Sequence, residues 1–475
     1  MLRKTKIIAT IGPACDQKET LRNMLLAGVD VLRINFSHDS SKFPEVIASA
    51  RALAAELNHP LAIMADLQGP KIRIGRFKKG KVILISGQSF SLDCREHATL
   101  GDNTTVSVAY KNLYQELSPD DRLLLDDGLI ELQVISIQQE KILCRVIEGG
   151  VLSDHKGINR KGGGLNAGAL TNKDKEDLSL AVSAAVDYIT LSFVKNAADI
   201  NQAKQLLQQL GTPQIPIIAK IERTEALTHL TEIIQSADAV MVARGDLGVE
   251  IGAAEVPGIQ KKIIEAARQH NKIVITATQM MESMITHPQP TRAEVSDVAN
   301  AILDGTDAVM LSAETASGQY PVKVIAMVHQ ICLSAEKHAN FLHTNHHNTC
   351  HYQQADQAIA MASMHIANHF PLQAIIALTE SGATAIWMSR LPSNVPIFAL
   401  TDNPATVGKL SLVNNVFPMF FDYMSCSQQD LKQKIIDYLL EKKLINNQQF
   451  VLLTRGSIMG IAGGTNGLEV LKVSV

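Results

Sequence analysis

The chain has 475 residues, of which 46% are hydrophobic and 19% are charged, a composition typical of a globular protein with a large core. Its length predicts about three domains, and its formal net charge of −3 provides no basic field for a nucleic-acid partner. No apolar run is long enough to cross a bilayer and the N-terminus has no signal-peptide core, so we expect a cytoplasmic protein with no membrane partner.

Eight short apolar runs alternate with helix-like segments along the first two-thirds of the chain. An unbroken run of Val, Ile and Ala residues is typical of a strand in a parallel sheet that is buried on both faces. The alternation predicts an α/β fold, a (β/α)8 TIM barrel formed by residues 1–68 and 167–338. The predicted strands are residues 6–11, 29–35, 61–66, 188–193, 215–221, 239–243, 273–277 and 308–311.

Residues 69–166 interrupt this alternation after the third strand. Short runs of period two, separated by turn pairs such as Asp127-Gly128, predict an inserted all-β domain. An insertion at the carboxyl end of a barrel strand lies over the mouth of the active site, where a lid belongs. We call residues 69–166 the lid.

Residues 339–475 are the third region, in which five further strand-like runs predict a separate C-terminal α/β sheet domain. The region begins with a polar, histidine-rich stretch, residues 343–351, which lacks helical ligand spacing and is expected to be a linker rather than a metal site. The six cysteines are scattered without a CxxC pair, which favours reduced thiols over a zinc site.

The fifth and sixth barrel strands both end in charged residues. The fifth strand delivers Lys220 and Glu222, and the sixth is followed by Asp246. Because function in such barrels lies at the carboxyl ends of the strands, we expect these side chains to meet. Two carboxylates beside one ammonium suit a divalent metal that holds an anionic, phosphorylated substrate.

Other strand ends carry groups that bind anions. Arg33 can form paired hydrogen bonds with phosphate oxygens, although a structural ion pair with a carboxylate is an equal alternative from the sequence alone. Asp66 and Arg73 flank the exit into the lid. Backbone N–H groups around Gly245 can face an anion, and Thr278 brings a hydroxyl to the same rim.

Five segments, in their order along the chain, closely resemble motifs of the pyruvate kinase family. They are Arg-Ile-Asn-Phe-Ser-His from residue 33, Lys-Ile-Glu from residue 220, Ala-Arg-Gly-Asp-Leu-Gly from residue 243, Ala-Thr-Gln-Met-Met-Glu-Ser-Met from residue 277 and Asp-Ala-Val-Met-Leu-Ser-Ala-Glu-Thr from residue 307. The resemblance extends nearly from end to end. It implies phosphoryl transfer between phosphoenolpyruvate and ADP, giving pyruvate and ATP in the last step of glycolysis.

The resemblance also implies roles for the residues at the strand ends. Glu222 and Asp246 are similar to the family's ligands for Mg²⁺ or Mn²⁺. The implied catalytic residues are Lys220, Arg33, Thr278 and Arg73. The implied substrate-binding groups are Arg33, Lys220, Thr278 and the backbone amides of Gly245 and Asp246, and the implied nucleotide-binding residues are Arg73, Asn35 and the lid residue Lys156. Thr278 is expected to protonate the enolate through a water relay, with Ser312 as a further member.

This chain departs from the pattern of many family members at the positions that hold a monovalent cation. Many family members hold K⁺ near positions that match Asn35, Ser37 and Asp66, and they carry a glutamate where this chain has Lys71. Lys71 together with Leu67 is similar to the pattern of the potassium-independent bacterial type. A tethered ammonium can replace the charge of the ion, so we expect that K⁺ is not required. The alternative is that Lys71 is a solvated charge at the lid hinge.

The C-terminal domain contains a loop with hydroxyls and a glycine between a strand and a helix, which is suited to a phosphate. The family uses this loop for a phosphorylated activator. The matching residues are Thr379, Ser381, Gly382 and Thr384. Activation by a sugar phosphate or a nucleotide monophosphate is the hypothesis, and an ordinary helix cap is the alternative. The resemblance further implies a homotetramer.

Two other functions are compatible with parts of the pattern. A related barrel enzyme that forms or cleaves C–C bonds on pyruvate would also use a glutamate–aspartate metal site. A non-catalytic metabolite sensor would use the C-terminal domain alone. The nucleotide-facing Arg73 argues against the first, and the intact set of strand-end residues argues against the second.

Overall fold

The computed structural model of the chain describes residues 2–37, 43–96, 100–165, 168, 170–338, 354–427, 429–458 and 460–474. These residues group into two compact units. The first comprises Met1–Ala65, Ala181–Ile189 and Ile264–Val475, and the second comprises Asp66–Leu180 and Thr190–Ile263. No helix within the described ranges is long and apolar enough to cross a membrane.

Eight strands close into a barrel, which confirms the predicted fold class. The barrel strands are β1 (Lys6–Thr10), β2 (Val31–Asn35), β3 (Ala62–Asp66), β12 (Tyr188–Leu191), β13 (Ile217–Ile221), β14 (Ala239–Ala243), β15 (Ile273–Ala277) and β16 (Ala308–Leu311). Their order around the barrel is β1, β16, β15, β14, β13, β12, β3, β2. Apart from Asn35 and Lys220, every residue in these strands is buried, as expected for apolar strands covered on both faces.

Helices connect the barrel strands. They are α1 (Lys18–Ala27), α2 (Phe43–Glu56), α3 (Asn172–Ser183), α4 (Ala197–Gln209), α5 (Thr224–Thr228), α6 (Leu230–Ser236), α7 (Arg244–Ile251), α8 (Val256–Gln269), α9 (Arg292–Asp304), α10 (Ala313–Ala316) and α11 (Pro321–His338). The sequence defines their ends well. Helix α9, for example, begins with a capping box between Thr291 and Glu294 and ends at Gly305 in the left-handed conformation.

The lid consists of two β-sheets around its own apolar core. Its strands are β4 (Lys81–Leu84), β5 (Ser89–Asp93), β6 (Thr105–Ser107), β7 (Arg122–Leu125), β8 (Ile130–Gln138), β9 (Lys141–Glu148), β10 (Gly150–Ser153) and β11 (Ile158–Arg160). One sheet has the order β11, β7, β8, β9, β5, β6, and the other pairs β10 with β4. Four of these strands were predicted, and β5, β6, β10 and β11 were missed.

The C-terminal region forms a five-stranded sheet in the order β19, β18, β17, β20, β21, of which β21 is an antiparallel edge strand. The strands are β17 (Leu372–Leu378), β18 (Ile397–Thr401), β19 (Val416–Phe420), β20 (Phe450–Gly456) and β21 (Thr465–Lys472), and the helices are α12 (Ala355–His369), α13 (Ala383–Ser389), α14 (Pro404–Leu410) and α15 (Leu431–Glu441). The histidine-rich stretch 343–351 lies outside the described residues.

The described cysteines are free, in agreement with the expected reduced thiols. Burial raises the pKa of Cys144 and of Cys332 to about 12. A buried thiol with a raised pKa is a poor nucleophile, so these two cysteines act as small packing residues.

A fully buried ion pair lies within the first unit. Arg390, the residue after α13, donates to both carboxylate oxygens of Asp307, the residue before β16, and neither side chain is exposed. The Asp307 carboxylate also accepts backbone N–H groups from Val274 and Asn414 at 2.9 and 3.0 Å. Arg390 therefore connects the end of a C-terminal helix to the start of two barrel strands, β15 and β16.

Candidate active site

Lys220 and Glu222 lie at the carboxyl end of β13 and contact each other. Nζ of Lys220 is 2.7 Å from Oε1 of Glu222 and 3.7 Å from Oδ1 of Asp66. It also donates to Oγ of Ser192 at 3.0 Å. The ammonium is therefore held by two carboxylates and a hydroxyl that come from three neighbouring strands of the barrel.

Asp246 belongs to the first turn of α7, directly after β14. Its Oδ1 accepts a hydrogen bond from Nζ of Lys71 at 2.9 Å. Burial alone would raise the pKa of Asp246, but the charges of Lys71 and Lys220 and the hydrogen bond from Lys71 outweigh it and lower the pKa. Gly245 is part of the same first turn, so the expected helix N-terminus is present at this strand end.

Glu222 is almost completely buried. Burial raises its pKa, and the charge of Asp246 raises it further against the opposing charge of Lys220. The two carboxylates therefore lie close enough to repel each other. The three residues expected to converge are together at one end of the barrel.

Two further residues, Ser192 and Phe193, complete this cluster and were not predicted from the sequence. Ser192 accepts from Lys220 and donates to the carbonyl of Leu67 at 2.7 Å. The Phe193 N–H donates to Oε2 of Glu222 at 2.7 Å, from a backbone with a φ of +58° that is rare for an aromatic residue. Their position at the end of the predicted fourth strand was the available signal, because every strand of a barrel ends at the active-site rim.

The carboxylate pair fits a hard divalent cation. Carboxylate oxygens are the protein ligands that Mg²⁺ and Mn²⁺ prefer, and a buried pair of repelling negative charges is stabilised by a cation. Across the described part of the chain, no group of three His, Cys, Asp or Glu residues could hold a metal. Glu222 and Asp246 would therefore need further ligands from substrate and water.

Lys71 does not behave as a solvated hinge charge. Besides its bond to Asp246, its Nζ lies 3.8 Å from Oδ1 of Asp127, and only 21% of its side chain is exposed. Leu67, four residues before Lys71, is buried and donates its N–H to the Thr190 carbonyl at 3.0 Å. The structure therefore brings Lys71 to a carboxylate of the cluster.

Two other basic residues lie on the lid side of the same unit. Nη1 of Arg73 donates to the carbonyl of His155 at 3.0 Å. Nζ of Lys156 lies 2.6 Å from Oδ1 of Asp126. The positive charge of Arg73 also helps to lower the pKa of Asp246, after the larger effects of Lys71 and Lys220.

The remaining strand-end residues belong to the first unit. Nη1 of Arg33 donates to Oγ1 of Thr10 at 3.0 Å on the adjacent strand, and Oδ1 of Asn35 accepts from the N–H of Ser37 at 3.1 Å. Thr278 follows β15 with a φ of +71°, which is strained for a β-branched residue. Its Oγ1 donates to the Ala277 carbonyl at 2.6 Å. Each of these residues stands at the carboxyl end of a barrel strand.

The loop before α13 lines a small cavity of about 30 Å³ in the C-terminal domain. The cavity is lined by Thr379, Ser381 and Thr384 together with Arg455 from the end of β20. Gly382 has a φ of +80° and donates its N–H to Oγ1 of Thr379 at 2.9 Å. The cavity is partly open to solvent.

The fold and the cluster together define a (β/α)8-barrel enzyme with a lysine–carboxylate centre suited to an anionic substrate. The barrel-domain model of pyruvate kinase matches residues 2–325, and the α/β-domain model of pyruvate kinase matches residues 357–471. The chain belongs to the pyruvate kinase family. It is therefore a transferase of glycolysis, and both alternative functions considered from the sequence are set aside.

Individual relatives agree over the full length. The chain is 48% identical to a pyruvate kinase of Buchnera aphidicola subsp. Schizaphis graminum, over 100% of this chain and 99% of the relative. It is 46% identical to pyruvate kinase II of Salmonella typhimurium, over 99% of each chain. A crystal structure of a pyruvate kinase from Cryptosporidium parvum superposes with a TM-score of 0.91 at 31% identity, covering 99% of this chain and 96% of that one.

Proposed function

We propose that Lys220, Glu222 and Asp246 are the centre at which this enzyme transfers the phosphoryl group of phosphoenolpyruvate to ADP. The observation that carries the proposal is the position of the Lys220 ammonium. It lies 2.7 Å from the buried Glu222 carboxylate, so it is fixed before a substrate arrives. A preorganised positive charge stabilises negative charge that develops in a transition state.

The metal and the phosphoryl group are assigned to the following residues. Glu222 and Asp246 would hold Mg²⁺ or Mn²⁺, which when bound supplies positive charge to substrate carboxylate and phosphoryl oxygens. Lys220 neutralises charge on the moving phosphoryl group and on the enolate. Arg33 holds the transferring phosphoryl group through paired hydrogen bonds.

The substrate carboxylate and the nucleotide phosphates are bound by different residues. Backbone amides of Gly245 and Asp246 and the hydroxyl of Thr278 bind the substrate carboxylate. Thr278 also passes a proton to the enolate through a water relay, with Ser312 as a further member. Arg73, Lys156 and Asn35 bind the nucleotide phosphates.

Removing the divalent ion is expected to stop ATP formation from phosphoenolpyruvate and ADP. Adding Mg²⁺ or Mn²⁺ after chelation should restore it. In Mn²⁺-binding measurements, Glu222→Gln and Asp246→Asn should each weaken the affinity by about tenfold or more. The exposed Glu255 provides the control, since Glu255→Gln should bind Mn²⁺ like the wild type. Normal Mn²⁺ binding by both site variants would contradict the assignment.

We further propose that Lys71 replaces a monovalent cation in the region of Asn35, Ser37, Asp66 and Leu67. Its ammonium already lies 2.9 Å from a carboxylate oxygen of Asp246. A tethered cation at this position supplies the charge that a bound ion would otherwise supply.

The expected result is full turnover in a sodium-free buffer with an organic cation, and no gain when K⁺ is added. Lys71→Glu should lower that turnover by about tenfold or more, and K⁺ should recover part of it. Lys79, an exposed lid residue, provides the control variant Lys79→Glu. A rise of about tenfold on adding K⁺ to the wild type would overturn the idea.

The C-terminal cavity is the proposed activator site. Thr379, Ser381 and Thr384 place hydroxyls on it, Gly382 forms the turn beside it, and Arg455 adds a positive charge. Hydroxyls, backbone amides and an arginine recognise a phosphate group. A sugar phosphate or a nucleotide monophosphate is the proposed ligand class.

At least one compound from a panel of sugar phosphates and nucleotide monophosphates should shift the substrate-saturation curve. Ser381→Ala should weaken that shift because it removes a hydroxyl from the cavity wall. Ser425→Ala, which changes an exposed serine in the same region of the chain, should leave it unchanged. If no compound shifts the wild-type curve, this cavity is not regulatory.

The division into a barrel (residues 1–68 and 167–338), a lid (69–166) and a C-terminal domain (339–475) is part of the same proposal. A homotetramer and a cytoplasmic location complete it. Sedimentation of the purified chain would test the tetramer directly.

A further inference from the structure

Two chain segments connect the lid to the barrel, one leaving β3 at Gly69 and one returning at Thr171, and a single buried carboxylate bonds to both. Oδ1 of Asp174 accepts the N–H of Gly69 at 3.0 Å. Oδ2 accepts the N–H and the hydroxyl of Thr171 at 2.8 and 2.6 Å. Asp174 is completely buried, so water does not compete for these bonds. Both segments therefore depend on one side chain.

Half of this arrangement is an ordinary helix cap. Asp174 lies in the first turn of α3, and its own N–H donates to Oγ1 of Thr171 at 3.1 Å, so the two residues form a capping box. The bond to Gly69 is not part of any cap. Gly69 lies 105 residues earlier in the chain, on the opposite connection of the lid.

The outgoing segment is packed tightly against the catalytic cluster. Gly69 has a φ of +67°, and a Cβ at this position would lie 2.9 Å from Cβ of Ser192. Ser192 donates to the carbonyl of Leu67 and accepts the hydrogen bond from Lys220. The Gly69 backbone is therefore held between this close packing contact and the hydrogen bond to Asp174.

We propose that Asp174 is a positioning residue that locks the two lid connections together and so fixes the lid residues that meet the nucleotide. Arg73 follows Gly69 by four positions, and it is the residue assigned to the nucleotide phosphates. The inference rests on that assignment. The phosphoenolpyruvate groups, in contrast, are anchored on barrel strand ends that do not depend on this carboxylate.

Asp174→Asn is the test, because asparagine keeps the shape but loses one acceptor oxygen. The KM for ADP should rise by about tenfold, as expected when a binding group is misplaced, while the KM for phosphoenolpyruvate stays within about twofold. Amide hydrogen exchange at Gly69 and Thr171 should become faster, and exchange in β13 should not change. Thr171→Val removes one bond to the same carboxylate, so it should give a smaller change of the same kind. It is the substitute variant if Asp174→Asn does not fold.

The matched control is Asp177→Asn on the same helix. Asp177 is buried and pairs with Lys173, and it forms no bond to either lid connection among the residues that the structure describes. Asp177→Asn should change the free energy of unfolding, but it should not change the KM for ADP relative to the KM for phosphoenolpyruvate. The inference is overturned if Asp174→Asn leaves the KM for ADP within about twofold of the wild type, or raises both KM values alike. A wild type that forms no ATP in this assay would instead refute the proposed function.

Discussion

Replacing Lys220 with methionine is expected to lower the kcat for ATP formation by about 100-fold or more. Methionine has a similar length but no charge, so the phosphoryl group and the enolate lose their fixed counter-charge. The loss should appear in kcat at saturating phosphoenolpyruvate and ADP, because the charge matters most when negative charge develops.

Two measurements separate this effect from a structural one. Removing the ammonium leaves the buried Glu222 without its nearest cation, so the rate should be measured at saturating Mg²⁺. Binding of an activator in the C-terminal cavity should be unchanged. Lys204→Met, which changes an exposed lysine on α4, should keep the wild-type rate. Turnover of Lys220→Met within about tenfold of the wild type would remove Lys220 from the mechanism.

Replacing Arg390 with methionine should give the largest loss of stability, about 3–5 kcal/mol. The change leaves the carboxylate of Asp307 buried and without its counter-charge, and this carboxylate still receives backbone N–H groups from β15 and from Asn414. Arg268 compensates only in part, because it donates to the carbonyls of Gly305 and Arg390 and reaches Asp307 through its charge alone. Burial, together with the charge of Arg390, lowers the pKa of Arg268 to about 10.

Chemical denaturation of the variant and of the wild type measures this loss. Arg22→Met is the matched control, because Arg22 forms an ion pair with Glu56 in which both partners are substantially exposed. Such a pair contributes about 0–1 kcal/mol. A loss for Arg390→Met that is no larger than the loss for Arg22→Met would show that the buried pair does not stabilise the fold.

The strands and their ends could be predicted because barrel strands carry two independent signals. A run such as Ile217–Ile221 is apolar except for Lys220, and the charges of Lys220 and Glu222 mark the carboxyl end of the strand. The observed boundaries of the eight strands lie within two residues of the predicted ones for this reason. Lid strands such as Thr105–Ser107 were missed because a three-residue edge strand has too few residues to show a period.

The contacts of the cluster could not be predicted in the same way. Lys71 and Asp246 are 175 positions apart, so no local pattern indicates that they form an ion pair. Ser192 is a small polar residue of a common type, and only its place beside Lys220 gives it importance. The positive φ of Phe193 results from tertiary packing, since an aromatic residue has no preference for that conformation.

The bond between Lys71 and Asp246 has a consequence for how the enzyme handles its cation. Three carboxylates, those of Asp66, Glu222 and Asp246, face two ammonium groups, so the centre is nearly neutral before any ion arrives. If Glu222 and Asp246 hold Mg²⁺ as proposed, the ion would compete with the Lys71 ammonium for the Asp246 carboxylate. That competition would favour an ion that exchanges between catalytic cycles over one that is permanently resident.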